Sequence, residues 1–128
     1  MATQHTSSDL SRRETGSLIG SDKVEGTDVY NPNGDRVGTI ERVMIDKIGG
    51  KVAYAVMSFG GFLGLGSDYY PLPWSLLKYN ERLGGYEVSV TEDQLHKAPK
   101  FRKDEPWAYG SREREKELYS YYNVTPYW

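Results

Sequence analysis

The stretch NGDRVGTIERVMIDKIGGKVAYAVMSF, residues 33–59, decides the fold of this chain. It contains two runs of β-type composition, 36–46 and 51–59, with a glycine-containing turn at Ile48-Gly49-Gly50-Lys51 between them. The second run is apolar at nearly every position, so both of its faces need a cover. The stretch therefore predicts two adjoining strands, the second of which has one row of side chains for a barrel interior and another for a different partner.

The first of these runs does not alternate cleanly, because Ile40 and Val43 fall on opposite rows of a regular strand. A bulge near Glu41 would bring both rows to the same face. Ahead of the run, Asn31-Pro32-Asn33-Gly34 predicts a tight turn, since proline fixes one backbone angle and Asn-Gly tolerates positive φ. This turn predicts a hairpin with a short strand at 29–30.

Further short elements follow at close spacing. The segment 69–74 reads as a strand whose prolines indicate an edge or a strand end, and 86–90 alternates as a strand should. Thr91-Glu92-Asp93-Gln94 has the form of a capping box and predicts a short helix to about His96. We therefore expect a mainly β fold, a small and strongly bent antiparallel β-barrel of about five or six strands with a short helix after it.

The predicted organisation is one domain with two appendages. Residues 1–16 are polar and without periodicity, which favours a disordered or loosely held arm. Residues 17–99 form the barrel domain, and 100–128 form an aromatic-rich C-terminal extension with a helix near 111–122. The charged half of this helix is expected to face solvent, whereas its apolar stripe contains Leu118, Tyr119 and Tyr122. The sequence leaves open whether the extension packs on its own barrel or on that of a neighbouring subunit.

Composition narrows the classes of function. The 128 residues have a formal net charge of −2, so the chain lacks the positive electrostatic field that a direct nucleic-acid binder needs. The chain has no cysteine, which excludes disulfides and thiolate chemistry. Residues 1–20 contain no signal-peptide core, and glycines interrupt the longest apolar stretch, 52–65. We expect a soluble, cytoplasmic protein without a membrane span.

The sequence predicts no catalytic, cofactor or metal site. The glycine-rich loop 60–66 continues as Ser67-Asp68 and lacks the Gly-Lys-Ser or Gly-Lys-Thr of a phosphate loop. The turn at 31–35 resembles a calcium loop only in its first oxygens, because Arg42 stands where the distal glutamate belongs. The two histidines, His5 and His96, are far apart.

The remaining candidate site is an interface. Apolar side chains in the loop 60–66 are hard to bury in so short a segment, so they cover a neighbouring surface in the same chain or in a dimer. Tyrosine and tryptophan at the C-terminus are typical anchors of interfaces. The predicted interface residues are Met57, Phe59, Phe62, Leu63, Leu65, Tyr127 and Trp128.

These motifs together resemble the PRC-barrel family. The resemblance rests on Asn33-Gly34-Asp35, Val37-Gly38-Thr39-Ile40, Ile45-Asp46, the strand 51–56, the loop 60–66, and Pro71-Leu72-Pro73-Trp74. It implies the fold shared by the cytoplasmic domain of the photosynthetic reaction-centre H subunit and the C-terminal domain of the ribosome-maturation factor RimM, in a small stand-alone bacterial member. One departure is Arg42, at a position that is often acidic in the family.

Three functions follow as hypotheses. The first is a non-catalytic protein-interaction module, a homodimer that docks to or helps assemble a larger complex with an unidentified protein partner. The second is a cytoplasmic regulatory or assembly factor related to the photosynthetic reaction centre or to ribosome maturation, by analogy with the settings of the fold. The third is a small enzyme, which requires a polar pocket with carboxylates of raised pKa.

Overall fold

The computed structural model describes residues 14–59, 68–102 and 111–128, except for the side chain of Phe59. Within these ranges the chain forms one seven-stranded sheet and three short helices. The elements are α1 (Ser21–Val24), β1 (Asp28–Tyr30), β2 (Arg36–Ile45), β3 (Val52–Phe59), β4 (Asp68–Pro73), a 3-10 helix (Trp74–Leu76), β5 (Lys78–Asn80), β6 (Gly85–Glu87), α2 (Glu92–Lys97), β7 (Phe101–Arg102) and α3 (Arg112–Tyr121).

The predicted hairpin at the Asn-Pro-Asn-Gly turn is confirmed. Oδ1 of Asn31 accepts hydrogen bonds from the backbone N–H groups of Asn33 at 2.9 Å and Asp35 at 3.0 Å. Gly34 has a φ of +89°, a conformation that glycine adopts without steric cost. The turn therefore brings β1 and β2 together as an antiparallel pair.

The predicted bulge in the first long strand is also confirmed. β2 pairs with β3 in antiparallel register, and the register shifts between Ile40 and Arg42, on either side of Glu41. Ile40 is fully buried, and Val43 packs against the same core cluster. The extra residue of the bulge thus brings Ile40 and Val43, which a regular strand would place on opposite faces, to the same face of the sheet.

The strands are hydrogen-bonded in the order β5-β6-β1-β2-β3-β4-β7. The prediction of a mainly β, bent sheet is confirmed; all pairs are antiparallel except β1 with β6, which run parallel. The sheet is not closed, since β5 and β7 stand at the two ends of the order. Among the residues that the structure describes, β7 pairs with Asp68 and Tyr69, so Pro71 and Pro73 lie beyond that pairing, where their missing N–H groups are tolerated.

The strand predicted over 86–90 is shorter than expected. β6 ends at Glu87, although Val88 and Val90 continue the alternation as buried residues. The N–H of Val88 donates to the carbonyl of Tyr30 at 2.9 Å, and β1 ends at that residue. The ladder stops because its parallel partner turns away.

Two apolar clusters lie on opposite sides of β3. The inner cluster contains Ile40, Ala55, Met57, Leu72 and Leu95, and the outer cluster contains Ala53, Tyr54, Val56, Leu118 and Tyr119. The hydroxyl of Tyr119 donates to the carbonyl of Ala53. The cover that the sequence analysis left open is thus supplied by α3 of the same chain.

Both predicted helices are present. Thr91 and Gln94 form the capping box of α2, with hydrogen bonds of 3.0 Å and 2.8 Å in the two directions. α3 begins after Ser111, whose hydroxyl accepts from the N–H of Arg114 at 3.4 Å. In the part of the chain described, no helix has the length and apolar character needed to cross a membrane.

Of the predicted N-terminal arm, residues 1–13 lie outside the described residues. Glu14 forms an isolated β-bridge with Ile19. Its carboxylate also lies 2.9 Å from the Lys23 ammonium. The described end of the arm therefore contacts the domain.

Candidate interaction surface

The C-terminal segment turns back onto the sheet through a well-formed helix end. Asn123 has a φ of +55°. Its N–H donates to the carbonyl of Ser120 at 3.1 Å, and the N–H of Val124 donates to the carbonyl of Tyr119 at 2.9 Å. This pair of bonds is the Schellman motif. Val124 also packs in the outer cluster with Tyr119, which is the apolar contact that accompanies the motif. The last residues are thereby directed across α3.

This helix end gives a first prediction. We expect Asn123→Gly to change the free energy of unfolding by only a few tenths of a kcal/mol, whereas Asn123→Val should lower it by about 1–2 kcal/mol, because a β-branched residue is strained at positive φ. Urea unfolding of the two variants beside the wild type measures the difference. Equal stability of the two variants would contradict the prediction.

Polar side chains of α3 meet the aromatic side chains of the C-terminus where it crosses this helix. Glu115 is only 7% exposed, and its Oε2 accepts a hydrogen bond from the Tyr127 hydroxyl at 3.2 Å. Nε of Arg112 lies 4.0 Å from Oε1 of the same carboxylate. The Arg112 guanidinium lies 4.1 Å from the ring centroid of Trp128 and 5.8 Å from that of Tyr127. A cation stacked on aromatic faces and a buried carboxylate thus fix the C-terminus.

The turn between β2 and β3 adds a second carboxylate. Oδ1 of Asp46 accepts from the backbone N–H of Gly49 at 2.8 Å and of Ile48 at 2.9 Å. These two bonds lower the pKa of Asp46, with smaller contributions in the same direction from Tyr127 and Arg112. Asp46 therefore belongs electrostatically to the polar group around the C-terminus.

The Tyr127 hydroxyl keeps its proton at neutral pH. Burial, followed by the negative charges of Glu115 and Asp46, raises the pKa of Tyr127 to about 12. The group acts as a hydrogen-bond donor to Glu115 in the physiological range. It is therefore a positioning contact for the C-terminus.

These side chains enclose a groove of about 470 Å³ between the β2–β3 turn and α3. Two exposed apolar side chains line it, Ile48 (98% exposed) and Ile45 (50%), and a third, Trp128 (44%), stacks on the Arg112 guanidinium of its lining. The groove itself is lined by Met44, Ile45, Asp46, Lys47, Ile48, Ala53, Tyr54, Arg112, Glu115 and Tyr127. We call this groove and its three exposed apolar residues the C-terminal surface.

The lining of the C-terminal surface combines apolar side chains with two acidic and two basic ones. Its lining residues include no histidine, serine or cysteine; among its charged groups, Arg112 and Glu115 lie beside each other and Asp46 accepts backbone hydrogen bonds. In the described ranges no three His, Cys, Asp or Glu side chains are placed to hold a metal ion. Exposed apolar side chains grouped beside charged ones are typical of interaction sites on soluble domains.

The predicted interface residues fall into three groups. Tyr127 and Trp128 come together at the C-terminal surface, with ring centroids 5.1 Å apart. Met57 is fully buried in the inner cluster of its own chain and has no surface for a partner. Phe59 ends β3, and the loop residues Phe62, Leu63 and Leu65 lie outside the described residues.

Sequence reasoning missed most of this surface. The charged half of α3 was expected to face solvent, and for Glu115 this is wrong, because Tyr127 folds back over it. A signal was present, since Glu115 precedes Leu118 and Tyr119 by three and four positions and so shares their helix face. No local signal marked the exposed Ile48 as part of a surface.

The comparisons with known proteins agree with this fold. The family model of the PRC-barrel domain matches residues 17–95, from the segment before α1 into α2. Among curated proteins, no match to the chain was found. The matched range is more than half of the 128 residues and includes the hairpin, the bulged strand and the central sheet. The chain therefore belongs to the PRC-barrel domain family.

Proposed function

We propose that this protein is a non-catalytic interaction module that forms a homodimer and docks to, or helps assemble, a larger complex. Family membership supports the first part, since PRC-barrel domains are generally non-catalytic modules of larger assemblies. The observation that supports it most is the exposure of Ile45 and Ile48 at one groove, with exposed Trp128 stacked on Arg112 of the same lining. Grouped apolar side chains of this kind mark interaction sites on soluble domains.

A second copy is the occupant that the charges favour. The C-terminal surface contains both cations and anions, with Lys47 and Arg112 beside Asp46 and Glu115. In a two-fold dimer the same patch meets itself, so a patch with both signs can pair opposite charges across the axis. Its Trp128 and Ile48 then cover each other from water, as anchors do in interfaces.

The glycine-rich loop is the other proposed part of the contact. Its Phe62, Leu63 and Leu65 are the large apolar residues of a segment outside the described residues, and their role rests on the sequence alone. The two regions can be separated experimentally, because one substitution can be placed in each.

We expect the wild-type protein to have about twice the chain mass of 14.6 kDa in light scattering. Ile48→Asp should give monomers at micromolar concentration, because a desolvated carboxylate at the contact opposes association. Phe62→Asp should act in the same way if the loop takes part. Lys97→Asp, on the exposed side of α2, serves as a control that changes charge elsewhere.

A monomeric wild type would reject the homodimer, and a dimeric mass in both aspartate variants would reject these two regions as its contact. Circular dichroism of each variant shows whether the fold is retained. Mass spectrometry of proteins that co-purify from the native host with wild type and with Ile48→Asp then identifies the larger complex. It also tests the alternative role in a photosynthetic or ribosomal assembly.

A further inference from the structure

A second cavity, of about 400 Å³, lies between residues 14–19 and the β5–β6 hairpin. It shares no residue with the C-terminal surface. One wall consists of three aromatic rings in sequence: the ring centroids of Trp74 and Tyr86 are 5.3 Å apart, and those of Tyr86 and Tyr79 are 5.1 Å apart. The cavity thus presents an aromatic face near one end of the sheet.

The charged residues that line this cavity are of one sign. Its formally charged lining residues are Glu14 and Glu81, both of them acidic. The faces of aromatic rings are also negative, and they attract cations, tryptophan most strongly. An aromatic wall with two carboxylates at its margin favours a positively charged ligand.

The chain itself already holds an ammonium group at the edge of this site. Nζ of Lys23 lies 2.9 Å from Oε1 of Glu14 and 6.0 Å from the ring centroid of Tyr79. The Tyr79 hydroxyl donates to the same carboxylate at 3.1 Å. Lys23 compensates the charge of Glu14, and Glu81 together with Trp74, which packs on the buried Tyr86, is left to receive a second cation.

We propose that this cavity binds a lysine side chain of a partner protein, with the ammonium group between Glu81 and the ring of Trp74. Lysine fits both parts of the lining, because its methylene stem covers apolar surface while its charge stays at a polar margin. Leu18, which is 72% exposed at the cavity, is the apolar surface that the stem would cover. That the lysine belongs to a partner protein rests on the proposed interaction function. The existence of a cation site does not depend on that function.

The test is a titration of the full chain, observed at the indole N–H signal of Trp74 by NMR. The probe is the capped peptide acetyl-Gly-Lys-Gly-amide, and its matched control has norleucine, an uncharged analogue, in place of lysine. We expect a saturable shift with the lysine peptide and roughly 3- to 30-fold weaker binding of the norleucine peptide, as one cation–π contact provides. Glu81→Gln should weaken binding of the lysine peptide about 3-fold or more. Asp93→Asn makes the same charge change at a side chain on α2 that is 78% exposed, and it should leave binding of the lysine peptide unchanged.

Three results would overturn the proposal: no saturable shift, equal binding of the two peptides, or an equal loss in Asp93→Asn and Glu81→Gln. Glu81 is exposed in a turn, so its substitution leaves the fold intact and the comparison with Asp93→Asn decides the question. The outcome is independent of the dimer. A monomeric wild type that still binds the lysine peptide would reject the homodimer alone, and a dimer that does not bind it would reject only the cation site.

Discussion

Replacement of Leu118 by alanine is expected to lower the free energy of unfolding by about 2–5 kcal/mol. Leu118 on α3 has no exposed surface and packs in the outer cluster with Tyr54 and Val56 of β3. Truncation removes buried methyl groups and leaves a cavity that the rigid sheet cannot fill. Urea unfolding measures the loss as a lower midpoint at unchanged slope.

Leu83→Ala is the matched control, because it makes the same change in the β5–β6 turn, where the side chain is 36% exposed. Its expected effect is within about 0.5 kcal/mol. If Leu118→Ala were as mild as this control, α3 would not be part of the cooperative unit. Since Tyr127 and Trp128 follow α3 in the chain, a loosened helix should also disrupt the C-terminal surface.

The features that the sequence predicts well are those with local determinants. The capping box at Thr91 and Gln94 and the turn at 31–34 are each decided by a few adjacent side chains and backbone angles. The bulge near Glu41 was predictable for a related reason, because a break in alternation is visible within one strand. In each case the partners are neighbours in the chain.

The features that escaped prediction depend on contacts between distant segments. The parallel pairing of β1 with β6 has no signature in either segment alone. The meeting of Asp46 and Tyr127 likewise requires knowledge of where the C-terminal segment crosses the sheet. Glu115 shares a helix face with Leu118 and Tyr119, but its hydrogen-bond partner Tyr127 is brought to it only by that crossing. The sequence therefore predicted the two aromatic residues of the candidate surface and carried a signal for Glu115, but it did not reveal the contacts between them.

Gly38→Ala is the second substitution from which we expect a large effect, a loss of about 1–3 kcal/mol of unfolding free energy. Gly38 is buried in β2, opposite Phe59 of β3 and Val29 of β1. A Cβ atom placed on it would overlap the carbonyl oxygen of Ser58 and lie 2.8 Å from Cγ of Met57. Backbone cannot yield as a flexible side-chain end can, so the two central strands would have to separate.

Gly49→Ala in the β2–β3 turn is the control for this substitution. The nearest atom to its added Cβ is Oδ1 of Asp46 at 3.8 Å, an ordinary contact, so we expect a change within about 0.5 kcal/mol. Thermal unfolding of both variants should show a lower midpoint for Gly38→Ala only. Equal midpoints would mean that the sheet relaxes around the methyl group. A selective loss would give a steric reason for glycine in the Val37-Gly38-Thr39-Ile40 step, namely the close approach of β2 and β3 that the bulged sheet requires.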